Sequence, residues 1–95
     1  MKLTLHEIAK VVGAKNDVTA YEDVTINQIE FDSRKITEGD LFLPLKGARD
    51  GHDFIQTAFD NGALATFTEK ELPADQAHIL VDDALEAFQK LAAYY

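Results

Sequence analysis

The fold is decided by residues 41–62, LFLPLKGARDGHDFIQTAFDNG, where an apolar run leads through a polar loop into an amphipathic segment. Residues 41–45 are nearly continuously apolar, which is typical of a strand covered on both faces. Pro44 cannot donate to a sheet ladder, so the strand is expected to end there or to lose a neighbour on that side. Residues 46–51 contain two glycines and three charged side chains. They predict a surface loop.

The helix after this loop is predicted to begin near Asp53, a favourable N-cap residue, and to end at Asn61-Gly62. Four apolar residues share one of its faces at helical spacing: Phe54, Ile55, Ala58 and Phe59. Residues 41–62 therefore predict a strand, a loop and a helix in succession.

Further along the chain, short strands fit residues 63–68 and 78–81, with a polar turn around Pro73 between them. Asp82-Asp83 is expected to cap a last helix rather than to bind a metal ion. The inward stripe of this helix is predicted to contain Leu85, Phe88, Leu91 and Tyr95. No stop signal precedes Tyr95, so we expect the parent polypeptide to continue.

Two elements are predicted before residue 41. Thr4-Leu5-His6-Glu7 has the pattern of a capping box, and the apolar spacing that follows predicts a helix over residues 5–12 that ends at Gly13. Apolar residues alternate from Val24 to Asp32, but the parity slips between Asn27 and Gln28. We therefore expect one strand with a bulge there. Residues 37–40 predict a turn.

The order of these elements is helix, strand, strand, helix, strand, strand, helix. It predicts the α/β class: a small three-layer domain with a mixed β-sheet flanked by helices. In such sheets, ligands tend to bind outside the carboxyl ends of the strands. The segments after Phe31 and after Leu45 are therefore the first places to look for a site.

Composition and charge exclude several classes of protein. Hydrophobic residues make up 46% of the 95 residues, and the sequence has no cysteine. A disordered segment and a disulfide-stapled scaffold are both disfavoured. The start lacks a signal peptide, and no apolar run approaches the ~20 residues needed to cross a bilayer. A net charge of −8 disfavours nucleic acid and anionic membrane as partners. We expect a cytoplasmic domain.

A local basic cluster stands against this acidic background. Four of the nine basic residues lie within sixteen positions: Arg34, Lys35, Lys46 and Arg49. Arginine can fork onto a phosphate with two charge-assisted hydrogen bonds, and Ser33 can add a third. The competing interpretation is a solvated turn in which Asp32 bonds to nearby amides. The residues alone favour that simpler interpretation, both here and in the loop from Lys46 to Gly51.

No catalytic set is visible in the sequence. The loop lacks the Gly-Lys-Ser/Thr ending of a P-loop, so it does not predict a nucleoside triphosphate site. His52 has no second histidine near it and is more simply a structural residue. No nucleophile stands beside a base and an orienting group, and we predict neither catalytic residues nor a metal site.

Five short motifs follow one another between residues 31 and 63: FDSR at 31–34, GDLF at 39–42, LKG at 45–47, DGHDFI at 50–55 and NGA at 61–63. Each is weak alone, but five in register are specific. Together they resemble the amino-terminal domain of the Mur ligases, which extend the peptide of bacterial peptidoglycan. With the first helix and residues 79–83, the resemblance covers most of the chain.

The resemblance implies that residues 1–95 form a single UDP-sugar-binding domain of a longer ligase. In such ligases this domain holds the UDP portion of a UDP-N-acetylmuramoyl-peptide. A central domain binds ATP and magnesium, and a third domain brings the incoming amino acid or dipeptide. LKGAR at residues 45–49 is more similar to the branch that adds D-alanyl-D-alanine than to the branch that adds the third residue.

The resemblance also implies which residues line the UDP site. They lie at the two predicted strand ends: Phe31, Ser33, Arg34, Lys46, Gly47, Ala48, Arg49 and Asp50. Phe31 and Ala48 would flank uracil, and the cations would approach the pyrophosphate. Arg34 could instead brace Asp32. Two alternatives stay open: the branch that adds the third residue, and an interaction module of the same fold without nucleotide binding.

Overall fold

A computed structural model describes residues 3–21, 23–44, 54–73 and 75–94. Within these ranges the chain forms six short strands and three α-helices. The strands are β1 Leu3–Thr4, β2 Thr25–Ile26, β3 Ile29–Glu30, β4 Leu41–Phe42, β5 Ala65–Thr68 and β6 His78–Leu80. The helices are α1 Leu5–Val12, α2 Ile55–Asp60 and α3 Ala84–Tyr94. Two 3₁₀ helices, Thr19–Tyr21 and Ser33–Lys35, complete the described secondary structure.

Four strands form a parallel sheet in the order β3-β4-β5-β6. Each strand lies beside the next one along the chain, so the connections pass over the sheet faces. Parallel pairing places the carboxyl ends of all four strands at one edge, which we call the carboxyl edge. The opposite edge, where the strands begin, is the amino edge.

Residues 24–32 form two strands, so the prediction of one bulged strand is wrong. β2 pairs antiparallel with β1, with Ile26 opposite Leu3. β3 pairs in parallel with β4, with Ile29 opposite Leu41. The parity slip at Asn27-Gln28 marks the point where the chain leaves a two-stranded ladder and enters the main sheet. A local sequence pattern does not distinguish this crossing from a bulge.

The main core lies between the sheet and the helices α1 and α3. Alternate residues of the central strands point into it, including Leu41, Leu43 and Phe67, all fully buried. The other sheet face presents Phe42 to a smaller cluster formed with α2. A helix layer therefore covers each face of the sheet, and the predicted three-layer α/β class with parallel and antiparallel pairing is confirmed.

The predicted ends of β4 and α1 are confirmed. Leu43 still donates its amide to the carbonyl of Glu30, at 3.0 Å, and regular strand pairing ends before Pro44. Helix α1 covers residues 5–12: the Thr4 hydroxyl accepts from the Glu7 amide at 3.2 Å, and Gly13 ends the helix with a φ of 70°. Local capping chemistry thus specifies this helix.

The amino edge is held by a buried network. Asp40 is fully buried, and its Oδ2 accepts from the amide and hydroxyl of Thr37 and from the side-chain amide of Gln28. Gly62 ends α2 as predicted and has a φ of 110°. A Cβ atom placed on Gly62 would lie 3.0 Å from the Cα of Glu38. The predicted turn at residues 37–40 is thereby fixed against the end of α2. At its start, α2 has Phe54 in the N-cap position and no side-chain cap, so the predicted cap at Asp53, which lies outside the described residues, is wrong.

The predicted inward stripe of helix α3 is wrong at Leu85 but confirmed at Leu91. Its buried residues are Ala84, Ala87 and Leu91, whereas Leu85 is 51% exposed. Leu91 is buried as predicted, and Ala84 and Ala87 take the inward positions of the first turns. Counting large apolar side chains gave too much weight to Leu85, since small alanines allow the helix to lie close to its neighbours. Phe88 is half-buried as part of the core, and Tyr95 lies outside the described residues.

Two acidic residues organise the start of α3. Asp83 Oδ1 accepts from the amide of Glu86 at 3.0 Å, which confirms the predicted cap. Glu69, which follows β5, accepts from the amide of Ala84 at 2.8 Å, a contact that the sequence did not predict. None of the three helices in the described part of the chain is long and apolar enough to span a membrane.

The difference in burial between Leu91 and Leu85 predicts unequal effects for two matched substitutions. Leu91→Ala is expected to lower the free energy of unfolding by about 2–5 kcal/mol, because it leaves a cavity in the core. Leu85→Ala makes the same chemical change on the exposed face and should change it by less than about 0.5 kcal/mol. Urea denaturation measures both values. Equal losses would show that Leu85 is also a core residue.

Candidate functional site

The candidate site begins at the carboxyl edge, where β3 and β4 end side by side. Glu30 lies opposite Phe42, and the amide of Leu43 donates to the carbonyl of Glu30. The residues after β3 therefore leave the sheet beside Leu43 and Pro44, which follow β4. The predicted site residues further along, Lys46, Gly47, Ala48, Arg49 and Asp50, lie outside the described residues. Their predicted contacts are thus neither placed nor contradicted.

Asp32 and Arg34 form a forked ion pair directly after β3. The guanidinium donates from Nε to Asp32 Oδ1 at 3.1 Å and from Nη2 to Oδ2 at 3.0 Å. The backbone amide of Arg34 donates to the same Oδ1 at 2.9 Å. Asp32 thereby caps the 3₁₀ helix Ser33–Lys35. Arg34 does brace Asp32, as one of the two interpretations of the sequence expected.

The ion pair changes the proton affinity of both groups. Hydrogen bonds from the Arg34 side chain lower the pKa of Asp32, with further lowering from the Arg34 amide and from nearby positive charge. The same contact raises the pKa of Arg34. The Arg34 side chain is nevertheless 84% exposed, so solvent screens the pair. The pair is therefore a conformational brace more than a source of stability.

Glu30 is a second acceptor at this strand end. Its Oε2 accepts from the backbone amides of Phe31 at 2.8 Å and Asp32 at 3.0 Å. Two consecutive amides that point at one carboxylate fix the direction in which the chain leaves the sheet. Both acids thus accept hydrogen bonds within the turn, where the described basic residues are Arg34 and Lys35.

Ser33 is buried, and its main chain is engaged. Its carbonyl accepts from the side-chain amide of Asn61 at 2.9 Å, a contact that joins the turn after β3 to the end of α2. The sequence predicted Asn61 only as part of a helix stop. The one feature of the sequence that pointed to this second role is the polar amide side chain of Asn61, which can donate a hydrogen bond to a neighbouring segment.

Phe31 lies at the outer end of β3 and keeps 40% of its surface exposed. Its ring contacts that of Phe88 in an edge-to-face arrangement, with centroids 5.1 Å apart and ring planes at 82°. Phe88 reaches this position from α3, more than fifty residues later in the chain. An aromatic surface therefore borders the polar turn at the carboxyl edge.

The other acidic cluster has a structural explanation. Asp82 pairs with Lys15 at 2.8 Å, and Asp83 caps α3. Within residues 3–21, 23–44, 54–73 and 75–94, no group of three or more histidine, cysteine or acidic side chains is placed to hold a metal ion. The turn after β3 is thus the better candidate for binding chemistry.

Comparison with known proteins assigns the family. The profile described as "Mur ligase family, catalytic domain" matches residues 25–95, from β2 through α3. The chain belongs to the Mur ligase family. The match includes both strands whose ends meet at the candidate site.

Curated relatives of this Mur ligase chain come from two branches of the family. It is 44% identical over 88 residues to the UDP-N-acetylmuramoyl-tripeptide--D-alanyl-D-alanine ligase of Rickettsia prowazekii. That alignment covers 90% of the chain and 20% of the relative. It is also 44% identical over 97 residues to the UDP-N-acetylmuramoyl-L-alanyl-D-glutamate--2,6-diaminopimelate ligase of Bacillus velezensis, with 100% and 19% coverage. The chain spans about a fifth of the length of these relatives.

Solved structures of the family share the fold. A crystal structure of MurF from Acinetobacter baumannii aligns with 99% of the Mur ligase chain and 21% of its own, with a TM-score of 0.86 and 29% identity. MurF from Thermotoga maritima, solved in complex with ADP, aligns with 72% of the chain and 16% of its own, with a TM-score of 0.65 and 36% identity. The three-layer arrangement is therefore that of a Mur ligase segment.

Removal of the guanidinium tests the ion pair. Arg34→Ala is expected to raise the pKa of Asp32 toward its ordinary value, because the largest cause of the lowering is lost. Lys35→Ala is the matched control and should raise it less, since Lys35 acts only through its charge. Carboxyl carbon shifts followed by NMR against pH give both values. An unchanged pKa of Asp32 in the Arg34→Ala variant would show that the ion pair does not persist in solution.

Proposed function

We propose that this chain binds the UDP portion of a UDP-N-acetylmuramoyl-peptide, as the amino-terminal domain of an ATP-dependent ligase that adds D-alanyl-D-alanine. The observation that carries the proposal is the parallel pairing of β3 with β4. It brings an exposed aromatic ring and a forked arginine to the edge where the segment 45–50 begins. A uridine diphosphate needs such a combination: a planar surface for the base and positive charge for the pyrophosphate.

The proposed contacts divide between the base and the phosphates. Phe31 and Ala48 flank the uracil, and Ser33 contacts the nucleotide through its hydroxyl or main chain. The phosphates are approached by Arg34, Lys46 and Arg49, with Gly47 and Asp50 shaping the same loop. Burial of Ser33 and the use of its carbonyl by Asn61 favour its amide or hydroxyl over its carbonyl as the contact.

Bracing Asp32 does not prevent Arg34 from binding a phosphate. A guanidinium carries five N–H donors, and the fork to Asp32 uses one on Nε and one on Nη2. Three donors remain, on a side chain that is largely exposed. Asp32 therefore holds Arg34 in one orientation while its outer edge stays open to an anion. A fixed cation loses less freedom on binding than a mobile one.

The D-alanyl-D-alanine branch is supported by the relatives and by the solved structures. The ligases of Rickettsia prowazekii and Bacillus subtilis carry that activity in their names, and the latter is 39% identical over the whole of this chain. The Acinetobacter and Thermotoga structures are both MurF. The branch that adds the third residue is the alternative, because a diaminopimelate ligase is as similar in identity.

ATP and magnesium belong, in this proposal, to another part of the parent enzyme. The 95 residues contain no Gly-Lys-Ser/Thr loop to cradle a triphosphate. In the described part of the chain, no three histidine, cysteine or acidic side chains are grouped to hold a metal ion. The residues present therefore do not fit an ATP–magnesium site, and we derive no catalytic step from them. In this proposal the parent enzyme acts in the cytoplasm.

A titration with UDP tests the proposal. We expect saturable amide shifts at Ser33, Arg34 and Ala48 in NMR spectra at millimolar UDP. The double variant Arg34→Ala, Arg49→Ala should weaken binding by roughly tenfold or more, because charge-assisted bonds to phosphate are lost. The control, Lys10→Ala with Lys90→Ala, removes the same charge from α1 and α3 and should leave binding unchanged.

Two results would contradict the proposal. Absence of shifts at these residues at millimolar UDP in a folded chain would favour an interaction module of the same fold. ATP turnover by the isolated chain with UDP-N-acetylmuramoyl-tripeptide and D-alanyl-D-alanine would show that it is catalytic by itself. We expect no turnover above buffer.

A further inference from the structure

We propose that Phe88 is a positioning residue for nucleobase binding: it holds the ring of Phe31 so that a planar base can stack on it at the carboxyl edge. The inference rests on the proposed UDP function and adds a residue from α3 to the site. Residue 88 lies outside the five motifs of residues 31–63 and outside residues 79–83, on which the resemblance was based.

The contact between the two rings leaves stacking surface open. At an angle of 82° and a centroid separation of 5.1 Å, the edge of one ring meets the face of the other. At least one face of Phe31 is then free of Phe88. The remaining 40% exposure of Phe31 agrees with such an open face. A base stacks on an exposed aromatic face without needing hydrogen-bond partners there.

Phe88 is anchored more firmly than Phe31. It is half-buried and packs against the main core, one turn before the fully buried Leu91. Phe31 projects from the end of a two-residue strand pairing, and the Glu30 carboxylate holds its backbone amide at 2.8 Å. The core thus fixes the direction of the ring through Phe88, while Glu30 fixes its backbone. A ring ordered in advance loses less freedom when a ligand binds.

This arrangement has a specific consequence for ligand choice. Stacking recognises a planar base and not its identity, because every base offers a π-face. Phe88 should therefore strengthen binding of UDP and leave binding of inorganic pyrophosphate unaffected. A residue that only stabilised the fold would affect both ligands alike.

The test is a double-mutant cycle on the two rings. Phe88→Leu keeps an apolar side chain in the core but removes the ring; Phe31→Leu removes the other ring, and a third variant combines both. Tyr94→Leu is the control, since it removes an exposed aromatic ring from the same helix. Dissociation constants for UDP and for inorganic pyrophosphate are measured by NMR titration on each protein, with folding checked by circular dichroism.

Phe88→Leu is expected to raise the dissociation constant for UDP roughly two- to tenfold, the range for loss of an aromatic pair. The constant for pyrophosphate should stay unchanged, and the combined variant should bind UDP as weakly as Phe31→Leu alone. Tyr94→Leu should bind both ligands as the unmodified chain does. If Phe88→Leu does not fold, Phe88→Met offers an unbranched side chain that adapts to irregular core space. It is expected to weaken UDP binding and to leave pyrophosphate binding unchanged.

The outcomes separate the two proposals. If the unmodified chain binds UDP and Phe88→Leu binds it equally well, Phe88 has no positioning role and the UDP function stands. Additive losses in the combined variant, or equal losses for UDP and pyrophosphate, would also overturn the inference. If the unmodified chain does not bind UDP at all, the proposed function fails and the inference fails with it.

Discussion

The pairing of β3 with β4 is the constraint on which the rest of the site depends. The strands pair in parallel, with Ile29 opposite Leu41 and Glu30 opposite Phe42. A hydrogen bond from the Leu43 amide to the Glu30 carbonyl extends this pairing. A parallel ladder is stable here because helices cover both faces of the sheet. Its direction brings the turn that contains Asp32 and Arg34 to the edge where Leu43 and Pro44 leave the sheet. An antiparallel pairing would have placed that turn and Pro44 at opposite ends of the sheet.

Local chemistry explains which elements the sequence predicts correctly. α1 has a cap, a spacing and a terminating glycine within ten residues, so its bounds follow from residues 4–13 alone. The end of α2 at Asn61-Gly62 is specified in the same way. The strand pattern at residues 24–32 and the stripe of α3 depend instead on distant partners. Ile26 forms a strand by pairing with Leu3, and the alanines of α3 are buried by packing against a neighbouring layer. The local sequence pattern does not show either partner.

The same distinction applies to the candidate site. Asp32 and Arg34 are two residues apart, and their ion pair was one of the interpretations that the sequence allowed. The contacts of Asn61 with Ser33 and of Phe88 with Phe31 span about thirty and more than fifty residues, and only the fold reveals them. The roles of Lys46 to Asp50 stay predictions, since they rest on the family resemblance. Within the described residues, the sequence thus predicted the Asp32–Arg34 pair after β3. The structure added the contacts of Asn61 and Phe88, which hold that turn and the Phe31 ring.

The two edges of the sheet differ in their tolerance of substitution. At the amino edge, Gly62 has no space for a side chain beside Glu38, and its carbonyl accepts from the amide of Gly39 at 3.2 Å. Any larger residue there must push the neighbouring turn away from the end of α2. The carboxyl edge carries side chains with exposed surface, such as Arg34 and Phe31, so a different side chain there has room in solvent. Substitutions intended to change the surface chemistry of the domain are therefore best made at the carboxyl edge. Gly62 and its contacts with the turn at residues 37–40 are best left unchanged.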